Sequence, residues 1–293
     1  MLDYKLLDAL AAVVEQGGFE RGARALGLTQ SAVSQRVKLL EARLGQPVLL
    51  RGSPPGPTAV GRRLLNHVQQ VRLLEHDLGT QVPSLGETGA HRLRVALNAD
   101  SLATWWAEAV APFCEAGRVL LELVIEDQDV GLKRMRAGDV AGCVCAEPTP
   151  VAGAASVALG AMRYLGVASP AFVARHFEGG VTAERLYHAP AVIFGSDDRL
   201  QHRFAARLGV ADGFVHHTVP SSEGFVRMLE SGLGWGLVPA LQIRQALERG
   251  ALVEICPGEA VDVPLYWHYW RQGGVLIDEL TARLTHGASR HLV

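Results

Sequence analysis

The chain has 293 residues, 48% of them hydrophobic and 20% charged, a globular composition that excludes an intrinsically disordered protein. This length predicts two or three compact units. The first residues lack the pattern of a signal peptide, and no apolar run is long enough to span a membrane, so we expect a cytoplasmic protein without membrane contact. The net charge of −2 is unevenly distributed: residues 1–75 hold ten Lys/Arg and six Asp/Glu, and the remainder hold 18 and 24. A basic N-terminal unit joined to an acidic body favours nucleic-acid binding by the first unit.

The cysteines and catalytic motifs give no indication of an enzyme or a metal site. Cys143 and Cys145 are two residues apart, which places them on one face of a strand and does not match a redox or zinc spacing. We therefore expect free thiols, no metal and no cofactor. The sequence contains no G-x-S-x-G, H-E-x-x-H or P-loop motif, so we assign no catalytic residue and predict that the protein is not an enzyme.

The first 44 residues predict three helices. Apolar side chains between Tyr4 and Gln16 form a helical stripe that Gly17-Gly18 ends. A short second helix is expected over 20–26. Thr29 is a suitable N-cap for a third helix from Gln30 to about Leu44.

The third predicted helix has one buried and one polar face. Val33, Val37, Leu40 and Leu44 are spaced by 4, 3 and 4 residues, as expected for a buried stripe. The opposite face, near the N-terminal end, carries amide, hydroxyl and cationic side chains: Gln30, Ser31, Ser34, Gln35 and Lys38. Such side chains read base edges and phosphates when a recognition helix enters the major groove. An isolated amphipathic helix with a solvated polar face would have the same pattern.

A wing and a long linker helix are predicted next. Residues 44–51 with the following Gly/Pro run form the wing, in which Arg51 is placed to meet a phosphate. Thr58 can cap a helix from 59 to about 80 and present its N-terminus to phosphate. Leu64, Val68, Val71 and Leu78, with Leu74 or Glu75 between the last two, approximate the 3.5-residue repeat of a two-stranded coiled coil. The alternative is that this stripe packs against its own domain.

Residues 18–61 resemble the LysR family of transcription regulators over more than forty consecutive positions. They read GFERGARALGLTQSAVSQRVKLLEARLGQPVLLRGSPPGPTAVG, with A-x-x-L, T-Q-S-A-V-S, L-E-x-x-L-G and T-x-x-G in the family's order. The resemblance implies a winged helix-turn-helix that binds double-stranded DNA, a linker helix that pairs subunits, a homodimer that associates into a homotetramer, and contact with RNA polymerase. The wing, Ser53-Pro54-Pro55-Gly56-Pro57, lacks the further basic residues usual in the family, so we expect a shallower salt dependence of DNA binding.

Beyond residue 91 the sequence alternates between strands and helices. Strands are predicted over 92–98, 119–125 and 140–146, with helices over 102–114 and up to 137, which indicates an α/β unit with a largely parallel sheet. A second α/β unit begins near residue 163, with strands at 165–168, 191–194 and 236–238 and a helix over 222–231. The resemblance implies a two-lobed, periplasmic-binding-protein-like effector domain in which the chain crosses between lobes twice.

The predicted division is therefore a winged domain (1–58), a linker helix (59–80), a hinge (81–91), a first effector lobe (92–162 and 268–293) and a second lobe (163–267). Ligands of open α/β sheets bind beyond the carboxyl ends of the strands. The candidate effector residues at these ends are Asn98, Asp100, Ser101, Glu126, Asp127, Phe194, Asp197, Ser222 and Glu223. Their acidic character favours a basic amino acid over a dicarboxylate. Asp100, Ser101, Ser221 and Ser222 would equally serve as helix caps, and Glu126 and Asp127 as parts of a solvated loop.

Several further segments resemble the lysine- and arginine-responsive branch of the same family. They read N-A-D-S-L-A-T-W-W, R-A-G-D-V-A-G, S-G-L-G-W-G-L-V-P and P-L-Y-W-H-Y-W-R. The resemblance implies a regulator of basic amino acid export or metabolism whose effector is L-lysine or L-arginine. The alternatives are a regulator of this family that answers to a different metabolite, and an enzyme or solute-binding protein with an incidental DNA-binding domain. The absence of catalytic motifs and of a signal peptide argues against the last.

Overall fold

The computed structural model describes residues 2–50, 52–81, 91–117, 119–126, 132–210 and 213–293. Residues 82–90 of the predicted hinge lie outside the described residues. The candidate residues Arg51 and Asp127 also lie outside them.

The N-terminal unit is a winged helix-turn-helix followed by a long helix, as predicted. Its elements are α1 (Tyr4–Glu15), α2 (Phe19–Ala25), α3 (Gln30–Leu44), β1 (Leu49–Leu50), β2 (Gly56–Pro57) and α4 (Ala59–Gln81). The predicted stripe of α3 is buried at Val33, Val37 and Leu40 and packs against α1. A Cβ on Gly22 would lie 2.9 Å from the backbone of Ala12, so glycine is what permits the close approach of α1 and α2.

The predicted coiled-coil stripe of α4 divides into two parts. Val68 is buried and Leu64 is partly buried in the core of the winged domain. The prediction that these two residues face a partner subunit is therefore wrong, because α4 crosses its own α1 at this point. Leu74 and Leu78, about two and three turns beyond Val68, are 48% and 49% exposed and form an apolar strip.

The C-terminal unit contains the remaining strands and helices. In the first lobe they are β3 (His91–Leu97), α5 (Ala99–Ser101), a π-helical turn (Leu102–Trp106), α6 (Ala107–Gly117), β4 (Val119–Ile125), α7 (Leu132–Ala137), β5 (Gly142–Cys145) and α13 (Gly274–Ser289). In the second they are α8 (Pro170–His176), α9 (Ala183–His188), β7 (Ala191–Ile193), α10 (Leu200–Arg207), β8 (His216–Thr218), α11 (Ser222–Glu230), β9 (Gly236–Pro239), α12 (Ala240–Glu248) and β10 (Val253–Glu254). β6 (Ala154–Ala168) and β11 (Val261–Trp270) run between the lobes.

One mixed sheet extends through both lobes, with the strand order β10-β6-β11-β5-β3-β4 and β9 also paired to β6. β3 is parallel to β4 and β5, but all pairings of β6 and β11 are antiparallel. The three strands predicted for the first α/β unit pair in parallel, as predicted, but the sheet as a whole is mixed. The reason is that the two long crossing strands pair side by side, and each also pairs antiparallel with a lobe strand.

The crossing strands place the two lobes face to face. β6 follows β5 out of the first lobe, and β11 returns along it, so the chain crosses between the lobes twice, as expected. A buried cluster continues from the first lobe into the second and includes Trp106 and Trp267 on one side and Phe204 and Trp235 on the other. The carboxyl end of β3 and the N-terminal ends of α11 and α12 meet at the cleft between the lobes.

Candidate functional site

The polar face of α3 is accessible at the start of the helix. The Thr29 hydroxyl accepts a hydrogen bond from the Ala32 N–H at 3.2 Å, which confirms the predicted cap, and it lies 3.0 Å from the Ser31 hydroxyl. Gln30, Gln35 and Lys38 are exposed, and Ser34 is half-buried beside them. The helix therefore presents two amides, two hydroxyls and a cation on one surface, a donor and acceptor set suited to base edges and phosphate.

The wing is held against α3 and α4 by hydrogen bonds. Glu41 on α3 accepts the Val48 N–H at 2.9 Å. Thr58 donates its hydroxyl hydrogen to the Pro47 carbonyl at 2.9 Å and accepts the Gly61 N–H at 3.1 Å. Because that hydroxyl hydrogen is already donated, Thr58 can serve a phosphate only through the helix N-terminus that it caps.

Lys38 is the exposed cation on the polar face of α3, and its removal should change the salt dependence of binding. K38Q removes one phosphate contact from each subunit of a dimer, so we expect the slope of log K against log salt to become shallower by about two. The sequence preference of binding should change little. The measurement is a salt titration on a duplex selected from a random-sequence library, hereafter the selected site. An unchanged slope would exclude a Lys38–phosphate contact.

The second candidate site is a cleft between the lobes with a cavity of about 60 Å³. Its polar lining consists of three carboxylates, three amides and two hydroxyls: Asp100, Glu126, Asp198, Asn98, Gln201, Gln242, Tyr164 and Ser222. None of the described lining residues is Lys, Arg or His. The cleft is therefore an acidic environment in which a cation would be stabilised.

Asp100 is the centre of a hydrogen-bond network that joins both lobes. Its Oδ2 accepts the Tyr164 hydroxyl from the crossing strand β6 at 2.8 Å, and its Oδ1 lies 2.9 Å from the Ser222 hydroxyl at the start of α11. The same Ser222 hydroxyl lies 3.1 Å from Oε1 of Gln242. Ser222 has one hydroxyl hydrogen and cannot donate it to both acceptors.

Burial raises the pKa of Asp100 above its ordinary value, although the hydrogen bonds from Tyr164 and Ser222 oppose the shift and the nearby Asp198 adds to it. A protonated Asp100 resolves the competition at Ser222: the carboxyl O–H donates to Ser222, whose own hydrogen then goes to Gln242. In the folded protein this carboxyl therefore binds its proton more tightly than in the unfolded chain. Its ionisation opposes folding, so stability decreases as pH rises through the raised pKa.

Two buried amides in the cleft have oxygens without a partner. Asn98 is 5% and Gln201 is 1% exposed, and neither side-chain oxygen accepts a hydrogen bond from any residue that the structure describes. Buried acceptors are ordinarily satisfied, so each unsatisfied oxygen indicates a place for an N–H donor. In contrast, both oxygens of Asp198 are occupied, at 2.9 Å each, by the N–H groups of Phe194 and Leu200.

The structure brings five of the candidate effector residues to the cavity: Asn98, Asp100, Glu126, Phe194 and Ser222. Ser101 is fully buried but does not line the cavity, and Asp197 and Glu223 are exposed outside it. Sequence reasoning missed Tyr164, Gln201 and Gln242 as lining residues, since each lies inside an element rather than at a strand end. Ser221, not Ser222, caps α11 by accepting the Gly224 N–H at 3.1 Å, which leaves Ser222 to face the cleft.

Comparison with known proteins places both units in one family. Residues 4–62 match the family model described as "Bacterial regulatory helix-turn-helix protein, lysR family", and residues 86–284 match the "LysR substrate binding domain". The chain is 67% identical over 294 residues to the "HTH-type transcriptional regulator ArgP" of Pseudomonas fluorescens (strain Pf0-1), covering 100% of this chain and 99% of the relative.

Solved structures with the same fold span the whole chain. The crystal structure of ArgP from Mycobacterium tuberculosis is 38% identical, with a TM-score of 0.86 over 100% of this chain and 99% of that one. Full-length LysG from Corynebacterium glutamicum, solved with bound effector Arg, is 33% identical, with a TM-score of 0.77 over 99% of each chain. With both family models and close relatives in agreement, this chain belongs to the LysR family of bacterial transcription regulators, and not to a family of enzymes.

Proposed function

We propose that this regulator binds L-arginine or L-lysine in the cleft between its two lobes, and that the bound amino acid changes the affinity of the winged domains for their DNA site. The regulated genes would then belong to basic amino acid export or metabolism. The single observation that carries the proposal is the pair of carboxylates, Asp100 and Glu126, that face one cavity together with two unsatisfied amide oxygens. The solved structure of LysG with bound Arg supports the choice of ligand.

A basic amino acid matches the polar groups of this cleft. Its side-chain cation would pair with Glu126 and its α-ammonium group with Asp100, and its remaining N–H donors would satisfy the oxygens of Asn98 and Gln201. Its carboxylate would find backbone N–H donors in the first turns of the helices that begin at Ala99 and at Ser222. A dicarboxylate would place its second charge among three carboxylates, which is unfavourable.

Ligand entry would require movement of the lobes. The cavity of about 60 Å³ has room for about four to six water molecules at 10–15 Å³ each, far less than an arginine occupies. The lobes must therefore separate or rotate about the crossing strands β6 and β11 to admit the effector. An effector that prefers one lobe arrangement shifts the population of that arrangement, and the DNA-binding units respond to the shift.

The DNA-binding state we propose is a dimer, and a tetramer formed from two dimers, acting in the cytoplasm with RNA polymerase. The exposed strip of Leu74 and Leu78 on α4 supports pairing of linker helices.

Within each subunit, the proposed division is a winged domain (1–58), a linker helix (59–80), a hinge (81–91) and two effector lobes (92–162 with 268–293, and 163–267). The base contacts would come from the start of α3: Thr29, Gln30, Ser31, Ser34 and Gln35. The phosphate contacts would come from Lys38, Arg51 and the N-terminus of the helix that Thr58 caps.

A thermal-shift screen of the twenty standard amino acids on the purified protein tests the ligand assignment. L-Arginine or L-lysine should raise the melting temperature, by a stabilisation of about 2.7 kcal/mol at a hundredfold excess over Kd. Acidic, aromatic and aliphatic amino acids should leave it unchanged. A response to another metabolite, with none to arginine or lysine, would refute the ligand and leave the family assignment intact.

The affinity for L-arginine should fall on acidification. A cationic ligand pairs with ionised Asp100, but burial raises the pKa of this carboxyl, so at lower pH the ligand competes with a proton. Isothermal titration at a series of pH values, in buffers of different ionisation enthalpy, should show proton release on binding that grows as the pH falls, and D100N should abolish that release. Proton release that persists in D100N would assign the titration to another group.

A further inference from the structure

Helix α7 connects the effector cleft to the linker helix α4 through an ion pair that the proposed function leaves unused. Glu126, whose side chain is 18% exposed, lines the cleft and accepts a hydrogen bond from Nε of Arg134 at 2.5 Å. The same guanidinium lies 3.5 Å from Oδ2 of Asp139. Arg134, on α7, thus links a carboxylate of the cleft to the segment that follows the helix.

The end of α7 is packed tightly on α4. Gly138 adopts a φ of +75°, and a Cβ added there would lie 2.4 Å from the Cβ of Asn66 and 2.9 Å from the Arg62 carbonyl oxygen. The N–H of Asp139 donates to the Arg134 carbonyl at 3.0 Å, which ties this turn to the residue that pairs with Glu126. A displacement of Arg134 would therefore be transmitted to the contact with the linker helix.

The contact between α7 and α4 also leaves a polar atom unsatisfied. Oδ1 of Asn66 is buried and accepts no hydrogen bond within the described part of the chain. If α7 and α4 moved apart, water could reach this oxygen and donate a hydrogen bond to it. Hydration of this oxygen would therefore offset part of the cost of separating α7 from α4.

We propose that the guanidinium of Arg134 pairs with Glu126 only while no effector is bound, and that the side-chain cation of the effector takes its place on Glu126. The displaced Arg134 then loosens the contact of α7 with the linker helix α4. This inference rests on the proposed function. It assigns Arg134 a positioning and specificity role: an arginine effector exchanges one guanidinium for another on the same carboxylate, whereas lysine offers only a point charge. It also gives a physical route from the cleft to the helix that carries the winged domain.

The first test is R134Q, measured by isothermal titration of L-arginine into the full-length protein. Because the variant lacks the guanidinium that competes for Glu126, its Kd for L-arginine should be about threefold lower than that of the wild type. This change corresponds to the free energy expected for a partly exposed ion pair. R249Q is the matched control, because Arg249 pairs with Glu230 in the second lobe, away from the cleft, at similar exposure. R249Q should leave the Kd unchanged.

The second test is G138A, which places a methyl group against Asn66. It should reduce the arginine-induced change in affinity for the selected site at least about threefold, while L-arginine still binds at least as tightly as in wild type. G250A is the control: Gly250 also has a positive φ, of +70°, but a Cβ there meets nothing within 4 Å. G250A has the same backbone strain and should retain the full response.

The outcomes separate this inference from the proposed function. If L-arginine and L-lysine do not bind the wild type, both are overturned. If L-arginine binds the wild type, but R134Q does not tighten its binding or G138A responds like G250A, the inference alone is overturned and the proposed function stands.

Discussion

D100N should weaken binding of L-arginine about 10- to 100-fold, since a hydrogen bond to a charged group contributes about 1.5–3 kcal/mol. Asp100 is the carboxylate on which contacts from both lobes converge, through Tyr164 on β6 and Ser222 on α11. Isothermal titration of L-arginine into the full-length variant measures the loss directly. The arginine-induced change in DNA affinity should be lost with it.

The loss should not arise from unfolding. The raised pKa of Asp100 means that its ionised form opposes folding, so a neutral amide at this position should leave the melting temperature unchanged or raise it. The amide oxygen can accept from Tyr164, and the amide N–H can donate to Ser222, which is then free to donate to Gln242. D197N is the matched control, because Asp197 is an exposed aspartate near the cleft that does not line the cavity. Wild-type affinity in D100N would remove Asp100 from the effector site.

Q35A should weaken binding to the selected site at least about tenfold, because a base contact contributes about 1–3 kcal/mol of discrimination and the dimer makes it twice. S34A should show a smaller loss in the same direction. Binding to non-specific DNA should change less than about twofold, since that affinity depends on phosphate contacts. Fluorescence anisotropy with both duplexes at one salt concentration gives the two affinities.

Q16A is the control for the recognition helix, because Gln16 is an exposed glutamine at the end of α1, outside the predicted interface. It should leave both affinities unchanged. Equal losses of Q35A on specific and non-specific DNA would show that Gln35 does not read bases.

Local patterns were sufficient to predict the elements whose boundaries are set by local chemistry. Helix α3 begins and ends where the Thr29 cap and the Gly45 turn require, and β4 covers the predicted 119–125. The antiparallel part of the sheet could not be predicted in this way. Only 165–168 of β6 had a strand pattern in the sequence, so its long antiparallel pairing with β11 was not foreseen.

The cleft was predictable where its residues follow strands and not where they lie inside elements. Asn98, Asp100 and Glu126 follow β3 and β4, so the strand-end rule places them at the cavity. Gln201 is buried on α10, and its sequence neighbourhood does not distinguish it from a surface glutamine. Only the packing of the second lobe onto the crossing strands makes it a cleft residue.

We propose above all that an amino acid bound in the acidic cleft controls the winged domains, which form a separate unit of the chain. The most direct test is the affinity of the full-length protein for the selected site, measured with and without saturating L-arginine at fixed salt. We expect at least about a fivefold difference between the two affinities, the lower end of ordinary allosteric coupling. Equal affinities in the two conditions, with L-arginine shown to be bound, would contradict it.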